Sequence, residues 1–237
     1  MAAHPVLIAQ ISDLHITPPG QLAYGRIDTT AALMRSIDTL NRMSPSPDRV
    51  VISGDIANSA LPEEYKHAKS LLGALRVRFT TIPGNHDRRM PMRSAFPGAY
   101  VTENGALNAM REVHGLDVFR TGIVYSDAIG LRNSDALATL LRKHPRARLV
   151  AAGHVHRAAQ TVFAGISATT CPAGEQAVPL DFEPRWPEVY RIEPPALHLH
   201  AWLPGENFGS VVTHIVPVGD FPGPYSYGYA QSQPPQL

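Results

Sequence analysis

The chain has 237 residues and a formal net charge of +1 at pH 7. This length accommodates one sizeable core, so we expect a single domain over residues 1–220 and a poorly ordered tail, rich in Pro, Gly and Tyr, over 221–237. The balanced charge argues against binding to a nucleic acid polymer or a membrane surface, because such proteins usually carry a basic excess.

Two further classes are disfavoured by the composition and by the start of the chain. Cys171 is the only cysteine, which excludes an intrachain disulfide and a thiolate zinc site and suggests a structural role for this residue. The apolar run at residues 6–11 is too short for a signal sequence and lacks a preceding basic region. We therefore predict a cytoplasmic protein without a transmembrane span.

The first two thirds of the chain alternate predicted strands and helices. The spacing of apolar residues predicts strands over 6–12, 49–53 and 77–82, with helices over 27–43 and from Pro62 onward. A helix beginning at Asn133 or Ser134 and a strand over 148–152 continue the pattern. This alternation predicts a βαβ core, in which ligands gather outside the carboxyl ends of the strands.

The chain changes character beyond Cys171. More than half of its 22 prolines lie there, among short β-like runs at 189–192, 197–202 and 211–218. We expect these runs to form a second layer of largely antiparallel strands without catalytic groups.

Four short motifs follow the predicted strands and carry metal-binding side chains. They are Asp13-Leu14-His15, Gly54-Asp55, Gly84-Asn85-His86-Asp87 and Gly153-His154-Val155-His156. In an extended chain residues i and i+2 point the same way, so Asp13 and His15 are expected to face one side. Each motif alone is compatible with ordinary loop chemistry, but their joint occurrence favours one dinuclear site. Its carboxylate, amide and imidazole donors suit Fe, Mn, Zn or Co.

The order D-x-H, GD, GNHD and GHxH resembles the calcineurin-like metallophosphoesterase superfamily. Pro83 before GNHD and the spacing are similar to its class III branch, the cyclic-nucleotide and glycerophosphodiester phosphodiesterases. Purple acid phosphatases fit less well because they carry a tyrosine where Asn58 stands, and Ser/Thr protein phosphatases carry an arginine where Pro83 stands. The resemblance extends from about residue 6 past His156 and implies a four-layer αββα sandwich of mixed sheets.

The resemblance also implies the role of each site residue. One ion would be held by Asp13, His15, Asp55 and His156, and the other by Asp55, Asn85 and His154. His86 would stabilise the transition state or protonate the leaving oxygen. Two dications a few Å apart would hold a hydroxide that attacks phosphorus in line with the leaving alkoxide. The expected substrate is a small phosphodiester, with 3′,5′-cyclic nucleotides such as cAMP as one candidate, and a homodimer is a candidate assembly.

The chain departs from the family in one place. The metal-binding histidine that the family carries between GNHD and GHxH is absent, and the sequences around Phe119 and Arg120 look like the two sides of a deletion. We infer that a few tens of residues, including strands in the middle of the chain, are missing there. The consequence would be a weakened second metal site and reduced turnover.

No other histidine is a convincing replacement for the missing ligand. His114 lies nearest, but a surface or loop role is favoured. His144 is expected at a helix C-terminus, and His198 and His200 on a solvated strand face.

Two alternatives to a phosphodiesterase follow from these features. The first is a degenerate, non-catalytic binding module that retains one ion; the missing ligand favours it, whereas the intact Asn85-His86-Asp87 disfavours it. A nuclease is less favoured because the balanced charge offers no basic groove for a polyanionic strand.

Overall fold

The computed structural model describes residues 5–97, 120–131, 133–183, 189–205 and 209–227. Within these ranges the elements are β1 (Val6–Ile11), α1 (Thr29–Arg42), β2 (Arg49–Ser53), α2 (Pro62–Leu72), β3 (Phe79–Ile82), α3 (Arg89–Ala95), α4 (Val124–Ala128), α5 (Ser134–Arg142), β4 (Leu149–Ala152), β5 (Ala159–Phe163), β6 (Ile166–Thr170), β7 (Gln176–Ala177), β8 (Arg191–Ile192), β9 (Ala196–Leu203) and β10 (Ser210–Pro217). The predicted helices and strands of the first two thirds are present, with ends shifted by a few residues.

The strands form two principal mixed sheets. The central sheet has the order β10-β9-β1-β2-β3, in which β1, β2 and β3 are parallel and β9 runs antiparallel to both β1 and β10. The second sheet has the order β4-β6-β5, with β4 parallel and β5 antiparallel to β6, and β7 pairs with β8. The prediction of an α/β fold with mixed sheets is confirmed.

Helices α1 and α2 cover one face of the central sheet. Alternate strand residues, including Ile11 and Ile52, pack there against Ile37 and Leu40 of α1 and Tyr65 of α2. Burying this apolar stripe is the main stabilising contribution to the elements that carry the first three motifs.

The starts of both helices are satisfied by side chains. Asp28 Oδ1 accepts a hydrogen bond from Ala31 N at 2.9 Å, which caps α1. In α2, Glu64 Oε2 accepts from Ser59 N at 2.9 Å and from Leu61 N at 3.0 Å, and Pro62 occupies the first turn.

The opposite face of the central sheet is polar and buried. The prediction that His198 and His200 lie on a solvated strand face is wrong, because their exposed fractions are only 0% and 6%. The second sheet covers this face: Gln10 Nε2 donates to Ala152 O at 3.0 Å, and Cys171 Sγ donates to Gln10 O at 3.3 Å. The buried position of Cys171 agrees with a structural role.

Several predictions concern residues at the edges of the described ranges. Residues 221–227 form no helix or strand, while 228–237 lie outside the described part, so the predicted division into domain and tail stays a prediction. His114 and the residues before the inferred deletion also lie outside it. Within the described ranges, no helix combines the length and the apolar character needed to cross a bilayer.

Candidate metal centre

The four motifs emerge where β1, β2, β3 and β4 end. The turns after β1 and β2 run side by side, since Asp13 N donates to Gly54 O at 3.1 Å and His15 N donates to Asp55 O at 2.8 Å. The turn after β4 joins them, because His154 N donates to the two carboxylate oxygens of Asp13 at 2.9 and 3.0 Å. Backbone hydrogen bonds therefore bring motifs from distant parts of the chain to one edge of the fold.

Five candidate ligands have left-handed backbone conformations. The φ angles are +55° at Asp13, +44° at His15, +47° at Asp55, +77° at His154 and +56° at His156. A non-glycine residue at such an angle costs about 1–3 kcal/mol and persists only where its surroundings hold it. Asp13 and His15 each offer a donor atom to one group, and a sharply turning backbone, not an extended one, places them there.

The first set of donors is compact. His15 Nε2 lies 3.1 Å from His156 Nε2, and His156 Nε2 lies 3.6 Å from Asp13 Oδ1. Asp55 Oδ2 is 3.9 Å from His15 Nε2. Two imidazole nitrogens that share one ion at about 2.0–2.1 Å each are roughly 3 Å apart when the angle between them is near 90–100°. The spacing and donor types of this set therefore fit a transition-metal ion.

The second set is more open. His154 Nδ1 lies 2.9 Å from Asn85 Oδ1, and His86 N donates to Asp55 Oδ1 at 2.7 Å, which draws the turn after β3 over Asp55. Asn85 is exposed and His154 is half-buried, whereas Asp13, His15 and Asp55 are at most 2% exposed. His154 Nε2 is buried without a hydrogen-bond partner. Asn85 thus contacts His154 close to Asp55, and it is the Asn85 side of this set that is open to solvent.

His86 lies beside both sets on the solvent side. It forms a group with His15 and Asp55 in which one potential ligand atom from each residue lies within 4.8 Å of the other two. Its Nδ1 is 2.8 Å from the Asn58 carbonyl oxygen, which can only accept, so Nδ1 is a donor there and Nε2 stays available for another partner.

Burial sets the protonation of the centre. It raises the pKa of Asp13 to about 7, and burial together with the neighbouring Asp13 carboxylate raises the pKa of Asp55 to about 8. Burial also lowers the pKa of His154 and His156 to about 4 and that of His15 well below its ordinary value. The imidazoles are therefore neutral donors, and two buried carboxylates lack a compensating positive charge, which a bound cation would supply.

Asp87 is a functional residue to which the sequence reasoning gave no role. Its Oδ2 accepts from Ile56 N and Gly84 N at 3.1 and 3.0 Å, and its Oδ1 accepts from Ala57 N and Tyr65 Oη at 3.1 and 3.0 Å. One carboxylate thus fixes the turn after β2, the turn after β3 and helix α2. Its position directly after Asn85-His86 was the feature of the sequence that could have indicated a role for Asp87.

Two glycines leave room for the carboxylates. A Cβ at Gly84 would lie 2.1 Å from Asp55 Oδ1, and a Cβ at Gly153 would lie 2.0 Å from Ser12 Oγ and 2.7 Å from Asp13 Oδ2. These are far inside contact distance, so a side chain at either position would displace a buried carboxylate.

Mixed sheets with carboxylate, amide and imidazole donors at their strand ends define a metallophosphoesterase fold. The family model described as Calcineurin-like phosphoesterase matches residues 6–158, and the chain belongs to this family.

Three known proteins illustrate the similarity. A probable glycerophosphodiester phosphodiesterase GpdQ from Arcobacter nitrofigilis is 29% identical over an alignment of 267 positions, gaps included, which covers 94% of this chain and 97% of the relative. A 3′,5′-cyclic adenosine monophosphate phosphodiesterase CpdA from Pseudomonas aeruginosa is 26% identical over 64% of this chain and 70% of its own. The fold resembles that of a dimetal phosphatase from Danio rerio, with a TM-score of 0.56 at 12% identity, covering 91% of this chain and 100% of that one.

The first of these alignments bears on the inferred deletion. Its 267 positions exceed the 237 residues of this chain, so the relative contains segments that this chain lacks.

Proposed function

We propose that this protein is a metal-dependent phosphodiesterase that hydrolyses a small phosphodiester. Donor side chains from the strand ends carry the proposal: Asp13, His15 and His156 form one compact group, Asp55 lies 3.9 Å from His15, and Asn85 contacts His154. Family membership and the phosphodiesterase names of both relatives support it. The balanced charge favours a small substrate over a polyanion.

The donor groups suggest two ion positions that differ in the number and the exposure of their donors. Asp13, His15, Asp55 and His156 would hold the first ion, and Asp55, Asn85 and His154 the second, with Fe, Mn, Zn or Co as the metals that suit such donors. When bound, the ions would polarise the phosphate and make a water molecule acidic enough to lose its proton near neutral pH. We further propose that the second ion binds more weakly, because its donors are more exposed and fewer.

His86 and its neighbours would act on the substrate. The carbonyl of Asn58 fixes the ring of His86, so that Nε2 can face a bound phosphate and, when protonated, donate a proton to the leaving oxygen. Asp87 would keep Asn85 and His86 in place through its four hydrogen bonds. The exposed position of His86 agrees with a residue that touches substrate.

Hydrolysis of bis(p-nitrophenyl) phosphate with added Mn²⁺ tests the proposal. We expect His86→Ala to lower kcat by about 10²–10⁴-fold with unchanged metal content, because only proton transfer and charge stabilisation are lost. Asn85→Ala should lower both turnover and the amount of bound metal. His144→Ala, at an exposed position outside the centre, is the control and should behave like the wild type.

The same assay separates the enzyme from a non-catalytic binding module. Binding of one ion without hydrolysis under Mn²⁺, Fe²⁺, Zn²⁺ or Co²⁺ would reject the enzyme and favour the module. If hydrolysis is found, cAMP and a glycerophosphodiester should then be compared as substrates, since the two relatives differ in this respect. A homodimer and a cytoplasmic location stay predictions; analytical ultracentrifugation tests the first.

A further inference from the structure

A line of hydrogen-bonded polar side chains crosses the inner face of the central sheet and ends at the metal centre. His200 lies 2.9 Å from both Thr213 Oγ1 and Gln10 Oε1 through its two ring nitrogens. Gln10 Nε2 donates to Ser53 Oγ at 2.7 Å, and Ser53 Oγ lies 2.8 Å from Ser12 Oγ. Gln10, Ser12, Ser53 and His200 are 1%, 2%, 3% and 6% exposed, respectively.

Chemistry fixes the direction of this line. Gln10 Nε2 faces the carbonyl oxygen of Ala152 at 3.0 Å, and a carbonyl can only accept, so this atom is the amide nitrogen and Oε1 faces His200. An amide oxygen also only accepts. His200 therefore carries its proton on Nε2, and its Nδ1 accepts from the Thr213 hydroxyl. The donors on Thr213, His200 and Gln10 therefore all point along the line toward Ser53.

The line continues through two hydroxyls to Asp13. Ser53 Oγ accepts from Gln10 and donates its own proton to Ser12 Oγ. The Ser12 hydroxyl donates to the Ser53 carbonyl oxygen at 3.3 Å. Ser12 Oγ and Asp13 Oδ2 lie side by side against Gly153, 2.0 and 2.7 Å from the point where a Cβ at that glycine would lie, so the line ends beside a candidate metal ligand.

Gln10, Ser12, Ser53 and His200 occupy the sheet face that packs against the second sheet, where apolar side chains would avoid the cost of burying polar groups. Gln10 is the branch point, because its amide reaches both Ser53 and the last residue of β4, directly before Gly153-His154. It can therefore set the placement of Asp13 relative to the turn that carries His154 and His156.

We propose that Gln10 is a positioning residue, held by His200, that orients the Asp13 carboxylate toward the metal through the hydroxyls of Ser53 and Ser12. Mutation of residues that hydrogen-bond to metal ligands and orient them typically lowers metal affinity by about 10–100-fold. This inference rests on the metal centre proposed above.

Isothermal titration of the apoprotein with Mn²⁺ tests the inference in two variants that cut the line at different points. Gln10→Met keeps the approximate volume and removes the amide, while Ser53→Ala removes only the middle hydroxyl. We expect each to weaken binding at the tighter site by about tenfold or more. The double variant should bind Mn²⁺ no more weakly than the single variant with the lower affinity, because the second substitution interrupts hydrogen bonds that the first has already disconnected from Asp13.

Two measurements distinguish positioning from a general loss of stability. The visible absorption of the Co²⁺-loaded protein should change in both single variants, since it reports the ligand geometry. Ile37→Val removes one buried methyl group in α1, away from the centre; it should lower the midpoint of urea unfolding and leave the affinity and the Co²⁺ spectrum unchanged.

The outcomes separate this inference from the proposed function. Wild-type protein that binds no Mn²⁺ or Co²⁺ would refute the metal centre and with it the inference. Normal wild-type binding with unchanged affinity and spectrum in folded Gln10→Met would refute the positioning role alone. Additive losses in the double variant would also refute the proposed line, because they would show that Gln10 and Ser53 act independently.

Discussion

Replacing Gly153 by alanine should damage the first metal position through a single methyl group. The added Cβ would lie 2.0 Å from Ser12 Oγ, 2.7 Å from Asp13 Oδ2 and 3.1 Å from Ser53 O, whereas ordinary contact begins at 3.4 Å. All three neighbours are buried, so they must shift by roughly 1 Å or more to make room. Overpacking of this kind costs about 1–3 kcal/mol. Because Asp13 is among the displaced groups, we expect metal affinity to fall about ten- to a hundredfold as well.

Urea unfolding and Mn²⁺ titration of the apoprotein measure the two effects separately. Gly205→Ala is a matched control, because a Cβ there meets nothing within 4 Å, and its stability should stay within about 0.5 kcal/mol of the wild type. A Gly153→Ala protein that binds Mn²⁺ with wild-type affinity would show that the Asp13 carboxylate is free to move, contrary to the packing described above.

Three further outcomes follow from the structure. Asp87→Ala should destabilise the protein by about 2–4 kcal/mol in urea unfolding, since it leaves three backbone N–H groups and the Tyr65 hydroxyl without their acceptor. Acid should destabilise the protein through His198 and His200, because burial lowers the pKa of each to about 4. Between about pH 4 and 6.5 the unfolded chain therefore binds more protons than the folded one, and the free energy of unfolding falls as the pH falls through this range. Above about pH 6.5 the contribution of the two neutral histidines to the free energy of unfolding is fully present. We expect a loss of about 2 kcal/mol per histidine between pH 7 and 5, reduced in His198→Leu, and an equal pH response in both proteins would contradict the assignment. Chelation by EDTA should lower the melting temperature if the centre holds metal as purified, because a ligand bound only to the folded state stabilises it.

The positions of the site motifs could be predicted from the sequence because each motif follows an apolar run of strand length. Parallel strands place their carboxyl ends at one edge, and this rule was sufficient to bring Asp13, Asp55 and Asn85 together.

Other features depend on long-range packing that local patterns do not encode. Alternation along β9 indicated that His198 and His200 share a face, but not that the second sheet covers that face. The left-handed conformations at Asp13 and His156 are imposed by neighbouring turns, and they cannot be predicted from the residue types. The four hydrogen bonds of Asp87 likewise arise only when the turns after β2 and β3 meet.

The place of β9 in the central sheet has a consequence for how the protein is made. β1 leaves the ribosome first, yet one of its edges pairs with β9, which lies beyond residue 158, where the family-matched region ends. A fragment that stops there would expose the backbone N–H and C=O groups along that edge and would lack His200 behind Gln10. The C-terminal third is therefore an integral part of the sheet, and the pairing of β1 with β9 can form only after this last third has been translated.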